Sequence, residues 1–347
     1  MPAPTGERRI RTGEPAGAAA PLDLRAMAIA TRPHWIRPFL LAVSFALTAC
    51  AGPSPQRGTA ASTGATRVPS GNADELASNA LQALIERDGQ TALAAIAQAN
   101  LVDPKRPDIA WLHVRICALA PGCEPEPVEA RLRKLAPDNG VVWLGPLARA
   151  EARQDKRVTD QVLEAMSQAQ RFDLYWTTLL WRLSEARSAK SPPPGSAGAP
   201  AQPLTQALDG TTDALSAIVV PAFKPLTAAC TIERIQDPPT RTRCDRIAQA
   251  MQRSDTTLVE GLGLGISQLL ITPGTPAAVV LEERVSTLSY RSQAAGALVR
   301  QQVEHDKFSA QMIELMKKLP REQDVSVAIL RWAGQPLIPD QPLLPNR

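Results

Sequence analysis

Between Leu76 and Leu183 the chain repeats one local pattern, a short stripe of apolar residues at helical spacing closed by a helix breaker. Residues three and four apart share a helix face, so Leu76, Ala80, Leu81, Leu84 and Ile85 form one stripe, which Asp88-Gly89 interrupts. Ala92, Leu93, Ala95, Ile96 and Ala99 form the next, ended by Asp103-Pro104. A third helix is expected over Ile109, Leu112 and Ile116, ending near Pro121-Gly122, and a fourth from about Pro127 to Leu135. The fifth carries Val142, Leu144, Leu147 and Ala150. The sixth carries Val158, Val162, Leu163 and Met166, and the seventh follows Asp173 with Leu174, Leu179, Leu180 and Leu183. The β-branched runs Val141-Val142-Trp143, Val219-Val220 and Val279-Val280-Leu281 each fall inside a helical pattern. Such stripes are buried only by packing helix on helix, so the fold class is all-α.

The helices repeat as well. Tryptophan recurs at Trp111, Trp143 and Trp176, spaced 32 and 33, with Asp108, Asp138 and Asp173 shortly before. Arg87-Asp88-Gly89 and Gln154-Asp155-Lys156 each sit at a break between paired stripes. On these features residues 73–188 resemble tetratricopeptide-like helical-hairpin repeats. The resemblance implies a stacked array whose concave face binds a protein or peptide. The tryptophans are expected at a repeated core position rather than on a ligand.

Residues 189–203 form a proline-rich linker, in which Pro192-Pro193-Pro194 forbids helix. A C-terminal helical domain is expected over 204–334. Its segments are Leu204 to Val219, Lys224 to Arg234 and Arg243 to Met251, then a helix capped by Ser254-Asp255 before Leu258. A long helix follows from Thr275-Pro276 to about Val303, then Phe308 to Leu319 and Val325 to Trp332, closed by Gly334. Residues 335–347, with four prolines, are a tail.

Upstream, Arg32 and Arg37 precede an apolar run from Pro38 to Ala49, too short to cross a hydrocarbon core that needs about 20 residues. The order of positive, apolar and small residues is that of an export signal over 1–49. A start at Met27 would give it ordinary length, the first 26 residues being otherwise an extension. Leu47-Thr48-Ala49-Cys50 resembles the lipobox of bacterial lipoproteins. The resemblance implies cleavage between Ala49 and Cys50, acyl chains of the palmitate type on Cys50, and, with Ala51 rather than Asp next, residence in the outer membrane facing the periplasm. Residues 51–72, Ala, Gly, Pro, Ser and Thr with little apolar bulk, complete the segment 50–72 as a disordered tether with a span of about 25 Å.

Removing residues 1–49 removes six arginines and three acids, leaving 32 basic and 31 acidic side chains, so the charge gives no argument for nucleic acid. Cys117, Cys123, Cys230 and Cys244 remain, an even set that an oxidising compartment would pair. Three connectivities are open, and proximity favours Cys117 with Cys123 and Cys230 with Cys244. No pattern calls for a metal or another cofactor: His113 alone lies near a cysteine pair, and Cys-x-x-Cys is absent. His113 and His305 are far apart and lack a nucleophile motif. Glu124/Glu126 and Glu282-Glu283 are the available carboxylate pairs, the latter pointing apart on a helix. Gly261, Gly263 and Gly265 lie inside a helical stripe rather than after a strand, with Gly261 and Gly265 expected to admit a neighbouring helix. The expectation is a non-enzymatic lipoprotein, attached to the membrane through Cys50, that serves as a protein-interaction or scaffold module. An immunity or inhibitor lipoprotein that neutralises a toxin and an envelope hydrolase with an unrecognised carboxylate site are the alternatives.

Intact mass of the membrane-extracted protein is expected to show Cys50 as the first residue, carrying acyl chains. Cys50→Ala is expected to remain unprocessed and leave the membrane fraction, whereas an unmodified Cys50 at the mature end would refute lipidation.

Overall fold

The computed structural model describes residues 71–189, 203–302 and 306–339. The leader, Ala49, Cys50, the tether as far as residue 70, most of the linker, His305 and the end of the tail lie outside them. The described residues form an all-α helical array with fourteen α-helices and no strand; an isolated bridge pairs Asn139 with Arg171.

Helices α1 (Ala73–Ile85) and α2 (Gly89–Val102) make the first hairpin. Asn72 starts it: its side chain accepts the Glu75 N–H at 2.9 Å while Glu75 accepts the Asn72 N–H at 3.2 Å, satisfying two donors that a helix start leaves open. Arg87 turns the chain in the left-handed region (φ 64°), and Asp88 caps α2 through the Thr91 N–H at 3.0 Å. The same device recurs two periods later between α5 (Leu144–Ala152) and α6 (Lys156–Ser167). There Gln154 has φ 54° and Asp155 accepts the Val158 N–H at 3.0 Å. Between them, α3 (Pro107–Leu119) and α4 (Pro125–Leu135) are joined through Gly122 at φ 81°. The Cys117 and Cys123 sulfurs lie at bonding distance across this connection, 1.94 Å.

A 3₁₀ turn, Gly140–Trp143, leads into α5, and α7 (Trp176–Ser188) returns to pack on α1. The C-terminal segment continues with α8 (Leu204–Ile218), α9 (Lys224–Ala229), α10 (Pro238–Met251), α11 (Thr257–Leu270), α12 (Pro276–Gln302), α13 (Asp306–Lys318) and α14 (Glu322–Trp332). Helix α8 packs on α7, α10 on α6, α11 on α10, α12 on α11 and α14 on α12, while α13 lies on α7 and α8. A single hydrophobic cluster runs from Ala73 to Leu330. Residues 73–188 and 204–334 contribute to one core within one compact unit. No helix among the described residues is long and apolar enough to cross a membrane.

Four local expectations are corrected. The segment at Lys224 stops at Ala229, and the next helix starts at Pro238, because proline is preorganised for a first turn that Asp237 caps through the Thr240 N–H at 3.0 Å. Cys230 and Cys244, fully buried with sulfurs 2.04 Å apart, close this connection, a loop whose cross-linking contributes about 3 kcal/mol. Thr256, not Ser254-Asp255, caps α11, because the Asp255 carboxylate is engaged elsewhere. The tryptophans do not share one core position: Trp111 is buried within α3, whereas Trp143 ends a 3₁₀ turn, Trp176 opens α7, and both are half-exposed. Gly263 makes the close approach in α11, not Gly261 or Gly265. A Cβ there would stand 2.7 Å from Met251 Cβ and 2.8 Å from the Ala248 carbonyl oxygen, whereas one at Gly261 or Gly265 would meet open space.

Gly263→Ala is expected to destabilise the protein by about 1–3 kcal/mol through overpacking. Gly261→Ala should raise stability by up to about 1 kcal/mol through helix propensity. Denaturant midpoints in the same order for both substitutions would contradict this packing.

Candidate functional site

A cleft of about 610 Å³ opens between the end of α10, the start of α11, the outer face of α12 and the start of α14, with Ile338 on its edge. Its position follows from how three loops are tied behind it. The loop before α7 and the loop before α11 run side by side. Arg253 Nε donates to the Gln170 carbonyl at 2.9 Å and Ser254 Oγ to the Phe172 carbonyl at 2.6 Å. The Asp255 carboxylate then accepts the N–H groups of Leu174 and Trp176 at 2.8 and 3.2 Å, capping α7 from another part of the chain. Asp173 accepts the Asp255 N–H at 3.1 Å, and Asn139 exchanges two bonds with the Asp173 backbone at 2.9 and 3.0 Å. The fully buried Phe172 ring fills this junction against Gly140, where even a Cβ would collide with it.

The third loop leads into α14. The Glu322 N–H donates to the Asp255 carbonyl at 2.8 Å, and the Glu322 carboxylate accepts the Thr257 N–H at 2.8 Å. Arg321 and Gln323 donate to the Ser254 carbonyl at 3.2 and 3.3 Å. Burial pushes the Asp255 carboxyl above the usual range and the neighbouring Asp173 charge adds to it, against the opposing pull of its two N–H donors. Burial also raises Glu322.

On the cleft side of the same loops sits Glu260, its side chain only 9% exposed. Arg284 reaches one oxygen at 2.9 Å and Arg321 approaches the other at 3.6 Å, so both carboxylate oxygens face guanidinium groups. Arg284 also donates to the Gln252 side chain at 2.8 Å. Arg291 donates through Nε to the Leu337 carbonyl at 2.9 Å, and Tyr290 to the Pro336 carbonyl at 3.2 Å, which holds residues 336–338 along the cleft. Glu283 and Asp324 stand exposed on the rim.

The residues singled out in the sequence fall elsewhere, apart from Glu283. His113 is half-buried in the array, with Nδ1 3.3 Å from Asn100 Nδ2; burial, then the Arg131 charge, lowers it to about 4, so it is neutral at neutral pH. Glu124 is exposed, and Glu126 pairs with Arg149 at 3.2 Å beside the buried Glu129. Glu282 points to solvent. Among the described residues no cluster of three or more His, Cys, Asp or Glu side chains is arranged to hold a metal ion. The cleft had one legible signal, a recurrence of Gln-Arg-x-Asp at Gln170-Arg171-Phe172-Asp173 and Gln252-Arg253-Ser254-Asp255, the two loops that zip together. The chain matches no protein-family model, no curated protein and no solved structure.

Because Asp255 holds its proton above the pH at which an unfolded aspartate loses it, its contribution to folding stability falls as pH rises from about 4 upward. Urea midpoints between pH 4 and 8 are expected to show this decline, flattened in Asp255→Asn by at least about 1 kcal/mol, the worth of a one-unit pKa difference. An unchanged slope in the variant would remove Asp255 as its source.

Proposed function

We propose that this chain is a lipid-anchored binding module of the bacterial outer membrane, facing the periplasm, and that the cleft beside α12 is its recognition site. The anchor rests on the resemblance of Leu47-Thr48-Ala49-Cys50 to a lipobox. Two pairs of cysteine sulfurs at bonding distance are in keeping with an oxidising compartment. A helical array with a proline-rich, weakly apolar tether before it suits a module that reaches for a partner from a membrane surface.

The observation that carries binding over catalysis is the state of Glu260. A general acid or base must exchange a proton with substrate, and its pKa must lie near the working pH. The carboxylate at the floor of the cleft instead has each of its oxygens turned to a guanidinium group, Arg284 on one and Arg321 on the other, so neither is presented to a substrate proton. The other carboxylates of the cleft, Glu283 and Asp324, are solvated at the rim. Arginines fixed by carbonyls and carboxylates supply directional donors for recognition without a group poised for proton transfer.

Detergent-solubilised full-length protein incubated with isolated cell-wall sacculi is expected to release no soluble fragments, while an envelope extract yields a partner whose capture weakens in Arg284→Ala. Fragment release that disappears in a folded Glu260→Gln variant would overturn the binding reading in favour of a hydrolase.

A further inference from the structure

The charge in the cleft is unevenly used. Arg284 and Arg321 share Glu260, but Arg253 and Arg291 have no carboxylate partner among the described residues. Each is nevertheless held in place, because Nε donates to a backbone carbonyl at 2.9 Å, that of Gln170 for Arg253 and that of Leu337 for Arg291. This anchoring leaves the terminal nitrogens of both guanidinium groups available, and it removes part of the side-chain entropy that an unrestrained arginine loses on binding. The cleft lining contains four arginines and three carboxylates, two of the latter at the solvated rim, so its interior is net positive.

The shape of the cleft selects among anions. One face of α12 lines it at helical spacing from Val280 through Arg284 and Leu288 to Ser292, three turns that face the start of α14 across the cleft. At 1.5 Å rise per residue that stripe is about 18 Å long, beyond the reach of a single small anion. An extended peptide covers the same distance with about five or six residues at roughly 3.3 Å each. Apolar surface stands beside the charges: Val280 is 65% exposed and Ile338 60% exposed, both at the cleft.

We propose that this cleft docks an extended acidic segment of a partner protein, with its carboxylates on the free edges of Arg253 and Arg291 and an apolar side chain against Val280 and Ile338. The assignment rests on the binding-module reading and names what that module recognises. Alternating side chains of an extended segment point to opposite sides, so one acidic face meets the arginines while intervening residues face solvent or the apolar edge. Fork-shaped guanidinium edges donate two parallel hydrogen bonds to a carboxylate. The rim carboxylates Glu283 and Asp324 would repel a segment shifted out of register and so help fix its position.

The test is fluorescence anisotropy on the full-length protein in detergent with its disulfides intact. The probe is a fluorescein-labelled peptide of about eight residues alternating glutamate and leucine, long enough to span the stripe. Lysine–leucine and glutamine–leucine peptides serve as controls, and glutarate and inorganic phosphate as competitors. The acidic peptide is expected to bind and the lysine peptide not to, and affinity should fall as salt rises. The Arg253→Ala/Arg291→Ala double variant should lose about tenfold or more, while Arg300→Ala, on α12 outside the cleft, should not. Arg253→Lys, which keeps the charge but lacks the fork, should fall between; it alters one exposed side chain and its single bond to the Gln170 carbonyl, a smaller change that keeps the test valid if the double variant melts early. Equal binding of the lysine peptide, displacement by glutarate or phosphate at the affinity of the peptide, or no binding of the acidic peptide to the wild type would each overturn the assignment. If the acidic peptide fails while an envelope partner is still captured, only this inference falls; if capture fails too, the module reading falls with it.

Discussion

A buried aspartate caps a helix that does not belong to its own segment, and much of the architecture depends on that contact. The Asp255 carboxylate accepts two N–H groups at the start of α7 from the loop that opens α11. Those N–H groups have no intrahelical acceptor, and α7 has no side-chain cap of its own because Tyr175 stands before it in the left-handed region. Burial outweighs the pull of these donors, so the carboxyl keeps its proton above the usual range while both of its oxygens still accept from directed N–H groups. The contact cannot form unless the α10–α11 turn is already beside the α6–α7 turn, so it joins the early and late parts of the chain.

The same loops hold the recognition side. Arg253, Ser254 and Asp255 point to the loop before α7, while Ser254 and Asp255 also receive bonds from Arg321, Gln323 and Glu322 through their carbonyls. Arg321 belongs to both regions, with Nε on the Ser254 carbonyl and a terminal nitrogen toward Glu260. The cleft is thus the outer surface of a junction whose inner surface is sealed by Phe172 against Gly140. Movement of the α14 start would loosen the interloop bonds and the arginine clamp together.

The repeat also has an electrostatic form. Arg106 bridges Asp74 and Asp108, and Arg171 bridges Asp138 and Asp173, each arginine reaching back about one period to the aspartate at the start of a preceding unit. The aspartates counted along the sequence mark these bridges rather than the tryptophans near them. Trp111 is buried, while Trp143, with the Arg133 guanidinium over its ring, and Trp176 are only partly buried, so an equal spacing of indoles does not imply an equal environment. Part-buried pairs with two carboxylates on one guanidinium fix the register between units more than they add stability.

Helix placement was legible because it is local. Apolar spacing, proline at first turns, Asp and Asn caps and breakers act within a few residues, and the seven helices expected over 73–188 all form, as does the long helix from Pro276. The cysteine pairs brought to bonding distance are those close in sequence, where short loops leave few alternatives. Beyond the recurring Gln-Arg-x-Asp the cleft was not legible, because its chemistry depends on which distant loops meet. The sequence put Ser254-Asp255 before a helix and so implied a local cap, but a carboxylate bonds whichever N–H groups packing brings to it, and here those belong to residues 79 and 81 positions away. It also offered three glycines on one helix with no means of telling which faces α10; only the rotation of α11 in its packed position selects Gly263. The sequence by itself determined an all-α chain and most of its helix boundaries. Tertiary structure alone decided that the two helical halves share one core and that four arginines from three separate parts of the chain face one cleft, because contacts between residues far apart in the chain follow from packing and not from local spacing.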